Sequence, residues 1–216
     1  MFFRHPLLTR LGVRHGFGSL AGSLEEQDFW SFRQVHGTRV VRVHGTRSGQ
    51  NEEADGVWTG DPSATVAVFT ADCLPVLLAG PEGRFVAAIH AGWRGAVGGI
   101  AIEGVRCLTE SARCAPEKVT VVIGPSIRDC CYPVGPEVWS AIKERYPAFR
   151  QEGPDDGRLN LPSLVRHQME SIGVSTFRIG LIDLCTACHP ELFFSHRGMG
   201  PTRKGRSMMN YIRSSD

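Results

Sequence analysis

Charge of one sign is what this sequence most plainly lacks: 24 Lys and Arg against 22 Asp and Glu leave a formal net charge of +2. So even a balance carries no electrostatic footprint for nucleic acid or for an anionic membrane surface. Long apolar runs are missing too. The longest, Ala64 to Ala79, is interrupted by Thr65, Thr70, Asp72 and Pro75 and falls short of the roughly 20 residues that span a bilayer. The opening segment MFFRHPLLTRLGVRHG is too broken by Arg and His to read as a secretory signal. A cytoplasmic setting is therefore expected, with the seven Cys reduced; an odd number excludes complete pairing within one chain. Several catalytic signatures are absent. There is no G-x-S-x-G elbow, no H-x-E with P-C-x-x-C of the base deaminases, no P-loop, and no G-x-G-x-x-G after a strand to hold a nicotinamide cofactor. Internal repeats and low-complexity tracts are absent as well.

What is present fits one domain of 216 residues, 42% hydrophobic and so well above the composition of disordered chains. Abundant Gly (25) and Pro (13) favour many tight turns over a plain helical bundle. Short strands are expected at Arg39–His44, Thr65–Phe69, Pro75–Ala79, Phe85–His90, Lys118–Ile123, Thr176–Ile182, Leu192–His196 and Ser207–Ile212. One helix is expected from the spacing of Val97, Ile100, Ala101, Gly104, Val105 and Leu108. Pro136 opens a second and Pro162 a third, which stops at Gly173. Glu52 to Gly60 reads as loop and Asp155 to Arg158 as a polar turn. Strands and helices alternate too irregularly for a doubly wound parallel sheet. The expectation is a single α+β domain with substantial antiparallel pairing.

Four segments can carry chemistry. In VAAIHAGWRGAVGG a strand delivers His90, a glycine turn follows, and a helix begins. Gly92 and Gly95 there let a ligand approach the backbone, and Arg94 adds a fork of donors, which together describe a small anion site. A glycine turn with a solvated Arg reads equally well. In TADCLP, Asp72 precedes Cys73 between two apolar strands. A carboxylate beside a thiol disfavours the free thiolate, whereas a metal would deprotonate it outright. In RQVHGTRV, His36 stands before Gly37 at the start of a strand. Spacing alone does not join His36, Cys73 and His90, yet each sits at a strand end, and two imidazoles with one thiolate suit Zn²⁺ with a fourth position open. The last segment, LCTACHP, matches the c-type haem attachment pattern at Cys185, Cys188 and His189. A redox pair and a second metal site are its other functional readings, and plain loop is the expected one. The adjacent Cys130 and Cys131 read as structural.

The segments RQVHGTRV, EADGVWT, FTADCLPVLL, VAAIHAGWRG, VVIGPSIRDCCYPVG, DLCTACHPELFFSHR and GRSMMNYI run from Gln34 to Ile212. In that order they resemble the laccase-domain family, also called multicopper polyphenol oxidoreductases or YfiH-like proteins and described as purine nucleoside phosphorylases. The resemblance implies a layered α/β/β/α sandwich with mixed sheets. It implies a catalytic metal, usually zinc, on His36, Cys73 and His90, and phosphorolysis of adenosine, inosine, guanosine and methylthioadenosine with some adenosine deamination. Phosphate is then a co-substrate for the anion site, with Cys73, Arg94 and Asp72 at the chemistry and Gly92, Gly95 and Arg206 against substrate. Asp72 either orients one of the two imidazoles or is an unpaired surface carboxylate. Family members carry a longer region before the first metal His, where this chain has only HGFGSLAGSLEEQDFWSF, which bears on substrate range.

Three other readings remain at this point. One is amide hydrolysis on a nucleotide-linked peptidoglycan precursor. Another is copper oxidation of phenols, against which none of the eight His forms an H-x-H pair, although a His₂Cys set can bind copper. The last is a metal-stabilised interaction domain without activity. A monomer or homodimer acting on small molecules is expected.

Overall fold

The computed structural model describes residues 1–21, 29–45, 52–151 and 157–215. Asp155 and Asp156 of the expected polar turn lie outside these. The strands are β1 (Phe2–Phe3), β2 (Arg14–Gly18), β3 (Val40–Arg42), β4 (Gly56–Thr59), β5 (Thr65–Thr70), β6 (Leu74–Ala79), β7 (Val86–Ala91), β8 (Thr120–Ile123), β9 (Ile179–Leu181) and β10 (Met208–Arg213). The helices are α1 (Pro6–Thr9), α2 (Trp93–Gly98), α3 (Ile100–Ala112), α4 (Pro136–Arg145), α5 (Leu161–Ser171) and α6 (His196–Met199). No helix among the described residues is long and apolar enough to cross a membrane.

The strands form two sheets. One is antiparallel with order β1-β2-β10-β5; the other is mixed with order β3-β4-β7-β6-β8-β9, in which the β3–β4 and β8–β9 pairs are parallel. All residues of β6 and β7 are buried, because this sheet is covered on both faces. Leu77, Ala79, Val86 and Ala88 meet Phe17, Val66, Val68 and Ile212 of the antiparallel sheet. Val76, Leu78, Ala87 and Ile89 point the other way, onto Ile100, Val105 and Leu108 of α3 and Leu164 and Val165 of α5. Each such fully buried Leu or Ile contributes about 1.5–3 kcal/mol. The α+β class expected from the sequence is the one adopted. On the outer face of the antiparallel sheet, Phe29 packs with Ala67, Phe69, Met209 and Tyr211, and no helix residue belongs to that cluster among the described residues.

Three local expectations are corrected. Gly56–Thr59, expected as loop, is the buried strand β4. Leu192–His196, expected as a strand, is a turn leading into α6, with Leu192 N and Phe193 N both donating to His189 O. The helix expected around Val97 is two helices, because Gly99 adopts a left-handed conformation (φ 86°) that ends α2 and begins α3.

Register brings the chemistry to one end of the mixed sheet. Gly56 pairs with Ile89, Leu74 with Ala91, and Val40 with Gly56. The starts of β3, β4 and β6 therefore lie beside the end of β7, as do the ends of β8 and β9.

Candidate active site

Asp55, Cys73 and His90 stand at these strand ends, and His36 stands in the loop before β3. His36, Cys73 and His90 offer ligand atoms that all lie within 4.8 Å of one another. Cys73 Sγ is 3.8 Å from His36 Nε2, and the two imidazole rings are 4.9 Å apart and nearly perpendicular. The trio grades from buried His90 through half-buried Cys73 to exposed His36, so one side opens outward.

Asp55, which the sequence reading left in a loop, holds this arrangement. It is fully buried. Its Oδ1 accepts from His90 Nδ1 (2.7 Å) and His36 N (2.9 Å); its Oδ2 accepts from Gly37 N (2.7 Å) and Val35 N (3.1 Å). With Nδ1 donating to Asp55, Nε2 is the nitrogen left for the centre, and its lone pair would serve a metal once the ring's second proton is displaced, the usual partnership of a metal-bound imidazole. Those three amides converge because His36 takes a left-handed conformation (φ 61°), which turns the loop around the carboxylate.

The charges respond to one another. Burial pushes the Cys73 thiol up, but hydrogen bonds and charge from His36 and His90 outweigh it and bring it down to about 7. Burial pushes His90 down, while Asp55 and Cys73 outweigh it and raise it to about 9. Burial pushes Asp55 up, yet His90 and the amides of Gly37 and Val35 hold it below the usual carboxylate range. The donor set fits a borderline cation such as zinc and also suits copper: two imidazoles, one readily ionised thiol, an open fourth side and a carboxylate behind one ring.

Asp72 corrects both expectations for it. It is buried, not on the surface, and it touches neither imidazole. Its Oδ1 accepts from Thr186 Oγ1 (2.6 Å), its Oδ2 from Arg197 N (2.7 Å), and its carbonyl from Ile127 N (2.9 Å). It ties three loops into one wall.

Of the two glycines expected against substrate, Gly92 lines the cavity and Gly95 does not. A Cβ on Gly92 would lie 2.6 Å from His36 Cδ2 and 3.2 Å from Cys73 Sγ, so the missing side chain makes room for two of the three ligand groups. A Cβ on Gly95 would lie 2.9 Å from Gly37 O; this residue is buried, packs against the His36 loop and does not line the cavity. The six-residue α2 is too short to bring a strong dipole to its start. Gly92→Ala leaves φ (−68°) acceptable for alanine, so the fold should persist while the centre is crowded. Overpacking of about 1–3 kcal/mol predicts a loss of metal affinity of roughly 5- to 150-fold, read by competition with a chromophoric chelator. Unchanged affinity would show that the loop yields freely.

The trio forms part of a cavity of about 620 Å³, within the range of small-ligand sites. Phe32, Phe69, Trp93 and Tyr132 supply aromatic walls; Arg94, Arg197, Gln34 and Ser207 supply polar groups. Arg94 lies over the Trp93 ring at 4.4 Å and Arg197 over Tyr132 at 5.4 Å. Burial, then the charge of Cys73, push the Tyr132 hydroxyl up to about 12, so it remains a neutral donor. Gln34 exchanges two 2.7 Å hydrogen bonds with the backbone of Phe69, which fixes that ring's strand to the His36 loop. Arg206 does not line the cavity: its guanidinium stacks on Phe194 at 4.7 Å, and neighbouring Ser207 faces inward instead. Sequence reasoning missed Asp55, Tyr132 and Arg197, although all three lie inside matched segments (EADGVWT, DCCYPVG and FFSHR).

Comparison with known proteins places this geometry. A family model described as multi-copper polyphenol oxidoreductase laccase matches residues 13–214. The purine nucleoside phosphorylase YfiH of Escherichia coli is 36% identical over 181 residues, covering 82% of this chain and 71% of that protein. The purine nucleoside phosphorylase YlmD of Geobacillus stearothermophilus is 33% identical over 177 residues, 76% of this chain and 65% of its relative, so the chain spans about two thirds of that protein's length. Among solved structures, YlmD from Geobacillus stearothermophilus superposes with a TM-score of 0.78 at 25% identity, covering 100% of this chain and 99% of that one. The Bacillus licheniformis hypothetical protein YfiH gives 0.77 at 27% identity, covering 94% and 93%. With the matched segments running through both sheets and the cavity, the chain belongs to the multi-copper polyphenol oxidoreductase laccase family, whose relatives here are named purine nucleoside phosphorylases.

Proposed function

We propose that this chain is a zinc-dependent purine nucleoside phosphorylase acting on adenosine, inosine, guanosine and methylthioadenosine in the cytoplasm. The observation that carries the reading is the convergence of His36, Cys73 and His90 beside an aromatic cavity edged by two guanidiniums. When bound, zinc supplies a Lewis acid at the open side of the trio. The chain's own groups do the rest. Phe69, Tyr132 and Trp93 offer faces on which a purine stacks, worth about 1–3 kcal/mol per base. Arg94 and Arg197 hold the phosphate dianion and orient one of its oxygens toward the ribose anomeric carbon. As that C–O bond forms, the bond to the purine nitrogen breaks; its electron pair leaves with the base, which takes up a proton. Tyr132 remains a hydroxyl donor for an oxygen of the ribose or phosphate throughout. Water in place of phosphate at the anomeric carbon would give ribose and free base; deamination of adenosine would instead need water delivered to C6 of the purine, with ammonia as the leaving group. Copper chemistry on phenols is disfavoured by the donors: the other candidate cluster among the described residues has four thiols and no imidazole.

The test is release of ribose-1-phosphate from inosine and adenosine with and without phosphate, alongside metal analysis. Phosphate-dependent product supports the reading. Turnover of an amide-linked cell-wall precursor without phosphate, and none of nucleosides, overturns it. Within this reading, Arg94→Ala should raise the KM for phosphate about 10- to 100-fold, the loss of charge-assisted hydrogen bonds worth about 1.5–3 kcal/mol, and leave the nucleoside KM nearly constant. An equal rise in both constants would remove Arg94 from the phosphate site.

A further inference from the structure

Four of the seven cysteines meet away from the active-site trio. Cys130 and Cys131 follow β8, and Cys185 and Cys188 follow its parallel neighbour β9. The sequence reading treated them separately, as structural residues and as loop; the fold corrects this by bringing all four thiols within 4.8 Å of one another. Cys188 Sγ is 3.5 Å from Cys130 Sγ and 3.4 Å from Cys131 Sγ. A tetrahedron of about 2.3 Å Zn–S bonds has sulfur–sulfur edges of about 3.8 Å, close to these separations. His189, the third member of the haem-like pattern, turns outward to Glu191 (3.1 Å).

We infer that Cys130, Cys131, Cys185 and Cys188 bind a second zinc ion as a tetrathiolate site that locks the loop after β8 to the loop after β9. The local backbone supports it. Burial pushes the Cys185 thiol up, yet N–H groups of Arg128, Cys188 and Ala187 outweigh it and hold it below its ordinary value. Two of these donors come from within Cys185-Thr-Ala-Cys188, so the short loop is wrapped around this sulfur. Four sulfurs so placed can close on one divalent soft cation, which displaces their protons on binding. The ion would also serve the cavity. Tyr132 follows Cys131 directly, and Thr186, which holds Asp72, follows Cys185.

The experiment uses the full chain and its Cys73→Ala variant, reduced and then reconstituted with zinc. Two zinc ions per wild-type chain and one per variant are expected. Alkylation by iodoacetamide, mapped by mass spectrometry in the variant, should slow by at least about tenfold at Cys130, Cys131, Cys185 and Cys188 when zinc is present, and not at Cys107 or Cys114. Cobalt in place of zinc should give the intense charge-transfer bands of several thiolates, lost in the Cys130→Ser/Cys188→Ser double variant. No zinc in the Cys73→Ala variant, equal alkylation with and without zinc, or a Cys130–Cys188 or Cys131–Cys188 disulfide in its place overturns the assignment. Phosphorylase activity is not read, so failure of the proposed function leaves this test intact.

Discussion

Cys73→Ala should lower nucleoside phosphorolysis by at least about 10³-fold, a loss of some 4 kcal/mol of transition-state stabilisation, while Tm changes little. The thiol is the only sulfur in the His36–Cys73–His90 set and faces the cavity from the start of β6, so its removal subtracts a ligand without opening the core. Zinc at this site should be lost together with activity. The pH dependence carries the same signature. In the metal-free chain His90 keeps its proton up to about 9 and Cys73 up to about 7. Between those values zinc must displace one proton, from His90, and below about 7 at least two. Log affinity should therefore rise with a slope of about one between pH 7 and 9, more steeply below, and level off above. A flat profile across that range, or full activity in the zinc-free variant, would dismiss the trio as the catalytic centre.

Asp55→Asn should both destabilise the fold and weaken the hold on metal. Every acceptor position of Asp55 is taken by a donor: His90 Nδ1 and His36 N on one oxygen, Gly37 N and Val35 N on the other. An amide NH₂ must face one of those pairs. Toward Gly37 and Val35 it leaves two loop amides unanswered. Toward His90 it forces the other tautomer, whose protonated Nε2 cannot bind metal. The expected result is a loss of about 3–5 kcal/mol, as for breaking a buried charge pair, together with a 10- to 100-fold weaker hold on zinc. Denaturant midpoints and chelator competition measure the two effects. An Asn variant that retains wild-type zinc affinity would show that the His90–Asp55 bond does not set the tautomer.

Why the sequence disclosed some of this and hid the rest is a matter of range. His36, Cys73 and His90 each carry a local mark, a reactive side chain beside Gly, Asp or Pro at a strand end, and register then brings those ends together. Asp55 carries no such mark. Its segment EADG is acidic and glycine-containing, which reads as loop, yet β4 is held between β3 and β7 and is buried along its whole length. The run LFFSH misled in the other direction: five apolar-rich residues do not tell a strand from a buried turn, and fully buried Phe193 packs there without a ladder partner. Asp72 and the four-cysteine cluster were illegible for one reason, since the hydrogen bonds of their side chains reach partners 57 to 125 residues away.

That separation has a consequence for how the site comes into being. All three ligands of the trio and Asp55 lie within the first 90 of 216 residues, whereas the wall closed by Asp72 depends on Thr186 and Arg197, across 114 and 125 residues. Contacts of such long range raise contact order and slow the folding step that forms them. On the ribosome His36, Cys73 and His90 emerge long before the residues that close the wall. The wall of the cavity is completed last, when Thr186 and Arg197 reach Asp72.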